Sequence, residues 1–251
     1  MQTHTYQALL SSDWNECLAP CGPFDAIVRH YPQHGMDLET VFRQYTGNTI
    51  SLGEAVRRIS ALVPHHLSPA QMDAYLREAF RTYRGVAELI RWCHDHDVLF
   101  MINTTGMIGY FQRVLAKSYL PPLPALSANP MVRFDPSPSD PEQILPLLET
   151  TDKPVHTAAV AARYAIAGKK IFLMGDSGGD GPHFKWGASV GANLIGSMTK
   201  PSLQRYCQDS GIVINHFVGH TYASGEPKAL DKEMAFDFIA IKDIIAPVLC
   251  S

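Results

Sequence analysis

IFLMGDSGGDGPHF, residues 171–184, runs an apolar strand directly into a turn that carries two carboxylates, Asp176 and Asp180. Ile171, Phe172, Leu173 and Met174 have the composition of a buried strand. Gly175, Gly178 and Gly179 let the backbone turn tightly after it, so the carboxylates emerge at the strand's C-terminal edge. Hard oxygen donors at such an edge suit Mg²⁺. Taken alone, the same residues also fit a plain polar loop, because Gly, Asp and Ser dominate turns for conformational reasons. A second junction of the same kind shifts the balance: the run Tyr6–Leu10 leads through Ser11 and Ser12 to Asp13. Two strand-to-acid junctions imply one shared sheet edge.

Outward from these junctions, strands alternate with helices. A helix over Val86–His94 feeds a strand over Val98–Ile102 that ends in Asn103, Thr104, Thr105 and Gly106. A helix over Val155–Ala167 precedes Ile171, and Ala192–Ile195 and Ile212–Ile214 predict further short strands. A Pro-rich connector from Pro121 to Pro146 predicts one more, Met131–Phe134. Between Phe24 and Thr82 the chain reads as short helices: Asp37–Gln44, then Thr49–Leu62 with Ile50, Ala55, Ile59 and Leu62 at helical spacing, then residues 68–83 with Ser68 as cap and Pro69 in the first turn. The alternation predicts an α/β fold, a parallel sheet with helices on both faces, interrupted by a small helical insertion.

Composition narrows the function. The chain has 251 residues, enough for one substantial domain or a core domain with a modest insertion. A net charge of −3 and a pI near 6.4 give no electrostatic footprint for nucleic acid or an anionic membrane, so small-molecule partners are expected. No apolar run approaches the roughly 20 residues that span a bilayer, and MQTHTYQALL lacks the start of a signal peptide, so the cytoplasm is the expected compartment. Cys17, Cys21, Cys93, Cys207 and Cys250 form no pair of CxxC clusters, which argues against a disulfide scaffold or structural zinc. Monomer and homodimer both stay open, the apolar C-terminal helix being a candidate contact.

Asp13, Thr104, Lys153, Asp176 and Asp180 form an ordered set along the chain, and with it the sequence resembles the haloacid dehalogenase (HAD) superfamily, most of whose members are Mg²⁺-dependent phosphatases. Within it, TISLGEAVRRISALVP, FMINTTGMIGYF and GDSGGD with its following helix are most similar to members like phosphoserine phosphatase and 2-hydroxy-3-keto-5-methylthiopentenyl-1-phosphate phosphatase. The resemblance implies a Rossmann-like core over residues 1–22 and 85–251 and a helical cap over 23–84 that closes on the site and selects the substrate. It implies a phosphomonoester hydrolase acting on a small phosphorylated metabolite, with Asp13 as nucleophile forming an aspartyl-phosphate. Mg²⁺ would be held by Asp13, Asp176 and the main-chain carbonyl of Asn15, with Asp180 completing or orienting the shell. Thr104 and Lys153 would stabilise the phosphoryl charge, and Thr105, Gly106, Arg57 and Arg58 are the candidate substrate-binding residues. Without the resemblance, Lys153 reads as a surface lysine, the threonines as a strand end, and the arginines as the solvated face of a helix.

One position departs from the family pattern. The usual first motif has a second aspartate two residues after the first; here the sequence is Asp13, Trp14, Asn15, Glu16, Cys17. That aspartate protonates the leaving oxygen and later activates water, and an amide does neither. A missing acid or base costs about 10²- to 10⁴-fold, less when the leaving group is an enol, acyl or aryl oxygen. Glu16 and His183 are the candidate substitutes. Two further readings stay open: a catalytically weak protein that binds a phosphorylated ligand, and a hydrolase of another bond type. The chain has no lysine between Asp13 and Lys117, which argues against Schiff-base phosphonate chemistry, and the paired aspartates argue against metal-free dehalogenation.

Overall fold

The computed structural model describes residues 5–47 and 49–250. Seven parallel strands form one sheet: β1 (Ala8–Ser12), β2 (Val98–Met107), β3 (Ala125–Asn129), β4 (Gln143–Pro146), β5 (Ile171–Gly175), β6 (Asn193–Ser197) and β7 (His216–Val218), in spatial order β4-β3-β2-β1-β5-β6-β7. β1 is central, with Leu9 opposite both Leu99 of β2 and Ile171 of β5. The chain winds one way from β1 to β4 and then crosses to β5, so the strand order reverses between β1 and β5. A sheet that switches direction leaves a crevice at the carboxyl ends of the strands there. That position is where the aspartate junctions fall.

Alternate residues of a strand face opposite ways, and this divides the core in two. Leu10, Phe100, Ile102, Phe172 and Met174 belong to one apolar cluster, and Leu9, Leu99, Met101, Ile171 and Leu173 to the other. With both faces buried, the strands read as continuous apolar runs. The first cluster takes the apolar sides of α1 (Pro23–His30), α2 (Gly35–Thr46), α3 (Leu52–Leu62), α4 (Pro69–Ala79), α5 (Val86–Asp95) and α6 (Ile108–Ala116). The second takes those of α7 (Asp152–Arg163), α8 (Gly181–Val190) and α9 (Pro201–Asp209), through Val160, Phe184 and Leu203. Two helices follow β7: α10 (Leu230–Ala235) and α11 (Lys242–Leu249), the latter packing Ile245 on the first cluster.

Helices α1–α4 occupy the interval between β1 and α5. Ser51 and Ser68 cap α3 and α4 by accepting the N–H groups of Glu54 and Gln71, and Gln71 returns the bond in a capping box. The Glu149 carboxylate accepts the N–H groups of Leu52 at 3.0 Å and Gly53 at 2.9 Å, fastening the start of α3 to the loop before α7.

Several expected elements are displaced. The segment 68–83 is helical only to Ala79, and the helix expected over Val155–Ala167 spans Asp152–Arg163 because Ala165 takes a left-handed backbone (φ 53°). Met131–Phe134 is a loop: Val132 C=O accepts Gly109 N–H and Phe134 N–H donates to Gln112, so this stretch bonds to α6 rather than to a strand. The Pro-rich connector instead contributes β3 and β4, whose ALSAN and QILP sequences carry little β-propensity. Ile212–Ile214 is an extended lead-in, and pairing with β6 begins at His216. Among the described residues no helix is long and apolar enough to cross a membrane.

Candidate active site

β1 and β5 run side by side with Ser12 opposite Met174, and Asp13 N–H donates to Met174 C=O at 3.0 Å. The two strands therefore release their aspartates at one level. Asp13, Asp176 and Asp180 each offer a carboxylate oxygen, all within 4.8 Å of one another. Asp180 folds back over the strand end: its Oδ2 accepts the N–H groups of Asp176 at 3.0 Å and Ser177 at 3.4 Å. A Cβ on Gly175 would lie 2.6 Å from that carboxylate, so the close approach requires glycine here.

Lys153 stands in the first turn of α7 and is only 2% exposed, not a surface lysine. Asn103, within β2, fixes that turn by donating to Lys153 C=O at 2.9 Å and to Thr157 Oγ1 at 3.0 Å. The Lys153 ammonium reaches Asp180 Oδ1 at 2.6 Å and Asp13 Oδ1 at 3.3 Å. Burial works against its charge, yet Asp13 and Asp180 outweigh it and hold the ammonium well above its ordinary pKa. Asp13 Oδ1 also accepts Trp14 N–H at 2.8 Å, and the Thr104 hydroxyl, which accepts Gly106 N–H at 3.2 Å, lies close enough to favour the ionised Asp13 carboxylate. Burial raises the pKa of Asp13 against the pull of Lys153.

A further group of charges was not signalled by the sequence motifs. Lys200, in the loop after β6, lies 2.7 Å from Asp176 Oδ2 and pairs with Glu16. Lys228, from the irregular segment after β7, donates to Glu16 Oε1 at 2.6 Å and to Pro20 C=O at 2.7 Å. Lys200 follows a strand at the same sheet edge, so its position was inferable once β6 was placed; nothing in the local sequence marks Lys228. Burial with Asp180 and Asp13 nearby pushes Asp176 up to about 7, opposed by Lys200. Glu16, by contrast, is held low, since its two lysines outweigh burial.

These residues floor a cleft of about 470 Å³ walled by Phe24, Phe42 and Tyr45 of α1 and α2. Asp13, Asn15, Thr105, Lys153 and Asp176 line it, whereas Thr104 and Asp180 lie buried just beneath. Gly106 lines an adjoining apolar recess. Arg57 and Arg58 are not brought to the cleft: α3 turns Ala55 and Ile59 inward, and both arginines face solvent paired with Glu54. The two candidate replacement acids are likewise engaged elsewhere. Glu16 is turned by a left-handed backbone (φ 56°) into its lysines. His183 is buried, bonds Thr157 Oγ1 at 2.9 Å, and is pushed down to about 3 by burial. Asn15 faces the cleft with a buried Oδ1 that has no partner among the described residues, its amide lying where a Cβ on Gly22 would sit, 2.3 Å from Nδ2.

The donor set fits a hard divalent cation. Asp176 is buried and neither of its oxygens receives a well-formed hydrogen bond, Lys200 being an ion contact. Acceptors left in this state are stabilised by a cation. The turn after Asp13 directs its N–H groups to the carbonyls of Trp14 and Ala19, and none goes to that of Asn15. Both Asp180 oxygens are already engaged, which suits an orienting role rather than direct ligation.

No family model matches the sequence, and no curated protein matches it. Solved structures do. A phospho-aspartyl intermediate analogue of phosphoserine phosphatase superposes with a TM-score of 0.67 at 15% identity, covering 96% of this chain and all (100%) of that one. A HAD family hydrolase from Salmonella enterica serovar Typhi gives 0.64 at 17% identity over 88% of this chain and 70% of that one. A probable phosphoserine phosphatase from Vibrio cholerae gives 0.63 at 13% identity over 99% and 68%. With its parallel sheet, the reversal beside β1 and the aspartates at that edge, the chain has the fold of the HAD phosphatases.

Proposed function

We propose that the protein is a phosphatase that transfers a phosphoryl group from a small metabolite to Asp13 and then to water. The observation that carries this reading is the Asp13 carboxylate at the end of β1, in a cleft, beside a buried Lys153 and a second strand-end aspartate. An Asp13 oxygen attacks phosphorus, the bond from phosphorus to the leaving oxygen breaks with its electron pair on that oxygen, and water then cleaves the aspartyl-phosphate to inorganic phosphate. Lys153 stabilises the charge that grows on the phosphoryl oxygens, and Thr104 orients the nucleophile. Asp13, Asp176 and the Asn15 carbonyl would hold Mg²⁺, which when bound offsets the repulsion between an anionic nucleophile and an anionic phosphate. Asp180 keeps Lys153 and the turn in register. Helices α1–α4, within residues 23–84, act as the cap.

Asn15 sets the limit. Its amide donates a hydrogen bond to a leaving oxygen but transfers no proton, and neither Glu16 nor His183 is placed to do so. Substrates whose leaving oxygen departs as an anion are therefore favoured, and the phosphoaspartate outlasts that of an enzyme with a carboxylate at this position. The test is phosphate release from acetyl phosphate and p-nitrophenyl phosphate with Mg²⁺, alongside acid-stable labelling of Asp13 detected by mass spectrometry. Release with an Asp13 adduct supports the reading; absence of both removes it and leaves a phosphate-binding protein, the second reading that Asn15 favours.

A further inference from the structure

The recess beside the cleft shares Asn15, Phe24, Phe42, Tyr45 and Thr105 with it and continues inward to Ala55 and Ile59 of α3. Among the described residues its lining contains no Asp, Glu, Lys, Arg or His. Phe24 and Phe42 stack with centroids 4.5 Å apart at 13°, forming a firm apolar wall. The polar groups that do reach it are mostly occupied. Asn129 accepts Met131 N–H at 2.9 Å and donates to Leu147 C=O at 3.0 Å, and the Tyr45 and Thr105 hydroxyls pair with each other. The exception is Asn15 Oδ1, at the junction with the cleft.

We infer that this recess receives the leaving group, and that the substrate is an enol or acyl phosphate whose leaving group carries no charge beyond the departing oxygen and ends in a short aliphatic chain. The inference rests on the phosphoryl-transfer reading above. Asn15 adjoins both cavities, so a phosphoryl group over Asp13 places its bridging oxygen at the recess mouth. A second carboxylate, or an ammonium, on the tail of the leaving group would be desolvated there without a counter-charge, since Arg57 and Arg58 face away. Size excludes a ring: the recess holds about 50 Å³, against about 150 Å³ for an apolar cavity that binds benzene. In the transfer, the P–O bond breaks with both electrons on the carboxylate or enolate oxygen. That oxygen is stabilised by delocalisation and needs no proton at departure. The phosphoryl group is on Asp13 until water removes it.

The test uses the full chain with Mg²⁺ and five acyl phosphates, acetyl, propionyl, butyryl, benzoyl and succinyl, whose leaving carboxylates are of similar acidity, so that the series isolates the tail. Filling an apolar pocket by one methylene is worth roughly tenfold or more. We expect kcat/KM to rise about tenfold per methylene from acetyl to butyryl and to fall at least about tenfold below butyryl for benzoyl and succinyl phosphate. Asp13-dependent release with a flat series, or with succinyl preferred, overturns the recess assignment and leaves the phosphatase reading standing. No Asp13-dependent release from any of the five removes both. As a second measure, Ala55→Leu fills the recess and is expected to bring the butyryl-to-acetyl ratio close to one; an unchanged ratio overturns the inference. The ratio is read within one preparation, and the native series decides if that variant does not fold.

Discussion

The two halves of the cavity are built on opposite terms. The floor, at the carboxyl ends of β1 and β5, gathers Asp13, Asp176, Asp180 and Glu16 against Lys153, Lys200 and Lys228, whereas the recess under α1–α3 is lined, among the described residues, by no charge at all. Strand ends hold the floor, and their positions are set by a ladder buried on both faces. Helices α1–α3 hold most of the recess, with Thr105, Gly106 and Met107 of β2 and Asn129 of β3 on its other side. The charged floor and the apolar recess thus meet along shared walls, Phe24, Phe42 and Tyr45, with Asn15 and Thr105 at the junction. The floor also has one carboxylate more than it has lysines, an excess that a divalent cation would offset.

The largest effect expected is at the nucleophile. Asp13→Asn removes the phosphoryl acceptor while keeping shape, and phosphate release is expected to fall on the order of 10⁴-fold or more, to background. The mass-spectrometric adduct disappears with it. Retained turnover would move the chemistry off the floor and break the comparison. Asn15→Asp acts at the border of the two halves. It supplies the missing acid but adds a carboxylate beside Asp13. We expect turnover of an alkyl phosphate such as glycerol phosphate to rise about 10²-fold, the low end of the range for a positioned acid, with little gain on acetyl phosphate. Equal gains on both would mean that leaving-group protonation is not what Asn15 limits.

Next in size is a stability difference between charges of the floor and charges on the outer face of α3. Lys153→Met leaves Asp13 and Asp180 buried without their shared cation, at a cost of about 3–5 kcal/mol, read as a lowered urea midpoint. Mg²⁺ is expected to recover part of that loss. Arg58→Met removes a partner of Glu54 on a half-exposed surface, and its midpoint is expected to stay close to that of the native chain. Similar losses in both would mean that burial is not what makes the floor charges matter.

How much of this was legible beforehand follows the same division. Ile171–Met174 and Val98–Ile102 announce themselves because strands buried on both faces are apolar, and Asp176 follows the first after one glycine, whereas the continuation of β2 through Asn103, Thr104 and Thr105 to Met107 is polar and was not read as strand. Lys153 was legible only through the family resemblance, because nothing in ETTDKPVH marks a side chain that becomes one of the most buried in the molecule. β3 and β4 were hidden by their small and polar residues and are strands only because of what flanks them. Arg57 and Arg58 attracted attention by charge, but helical phase decides where a side chain points, and Ala55 with Ile59 turns them outward. Lys200 and Lys228 reach Glu16 from 184 and 212 residues away, a closeness no local pattern encodes.

The smallest effect concerns where the floor's charge ends. His183 lies one layer behind Lys153, bonded to Thr157 and held neutral, its pKa pushed down to about 3 by burial and then by Lys153. In the unfolded chain it titrates at about 6.5. A histidine whose folded pKa is depressed contributes stability that is fully present above the unfolded value and is lost as pH falls from about 6.5 toward 3, because the unfolded state takes up the proton first. Between pH 6.5 and 5 this one group should therefore remove about 2 kcal/mol. Ten other histidines and the carboxylates also titrate over this range, so the informative quantity is a difference. His183→Gln keeps a hydrogen-bonding partner for Thr157 and takes no proton, and urea midpoints of the two chains from pH 7.5 to 5 should converge as the native chain loses stability faster. Parallel curves would mean that His183 carries a proton when folded, and that the positive charge of the floor extends a layer deeper than Lys153.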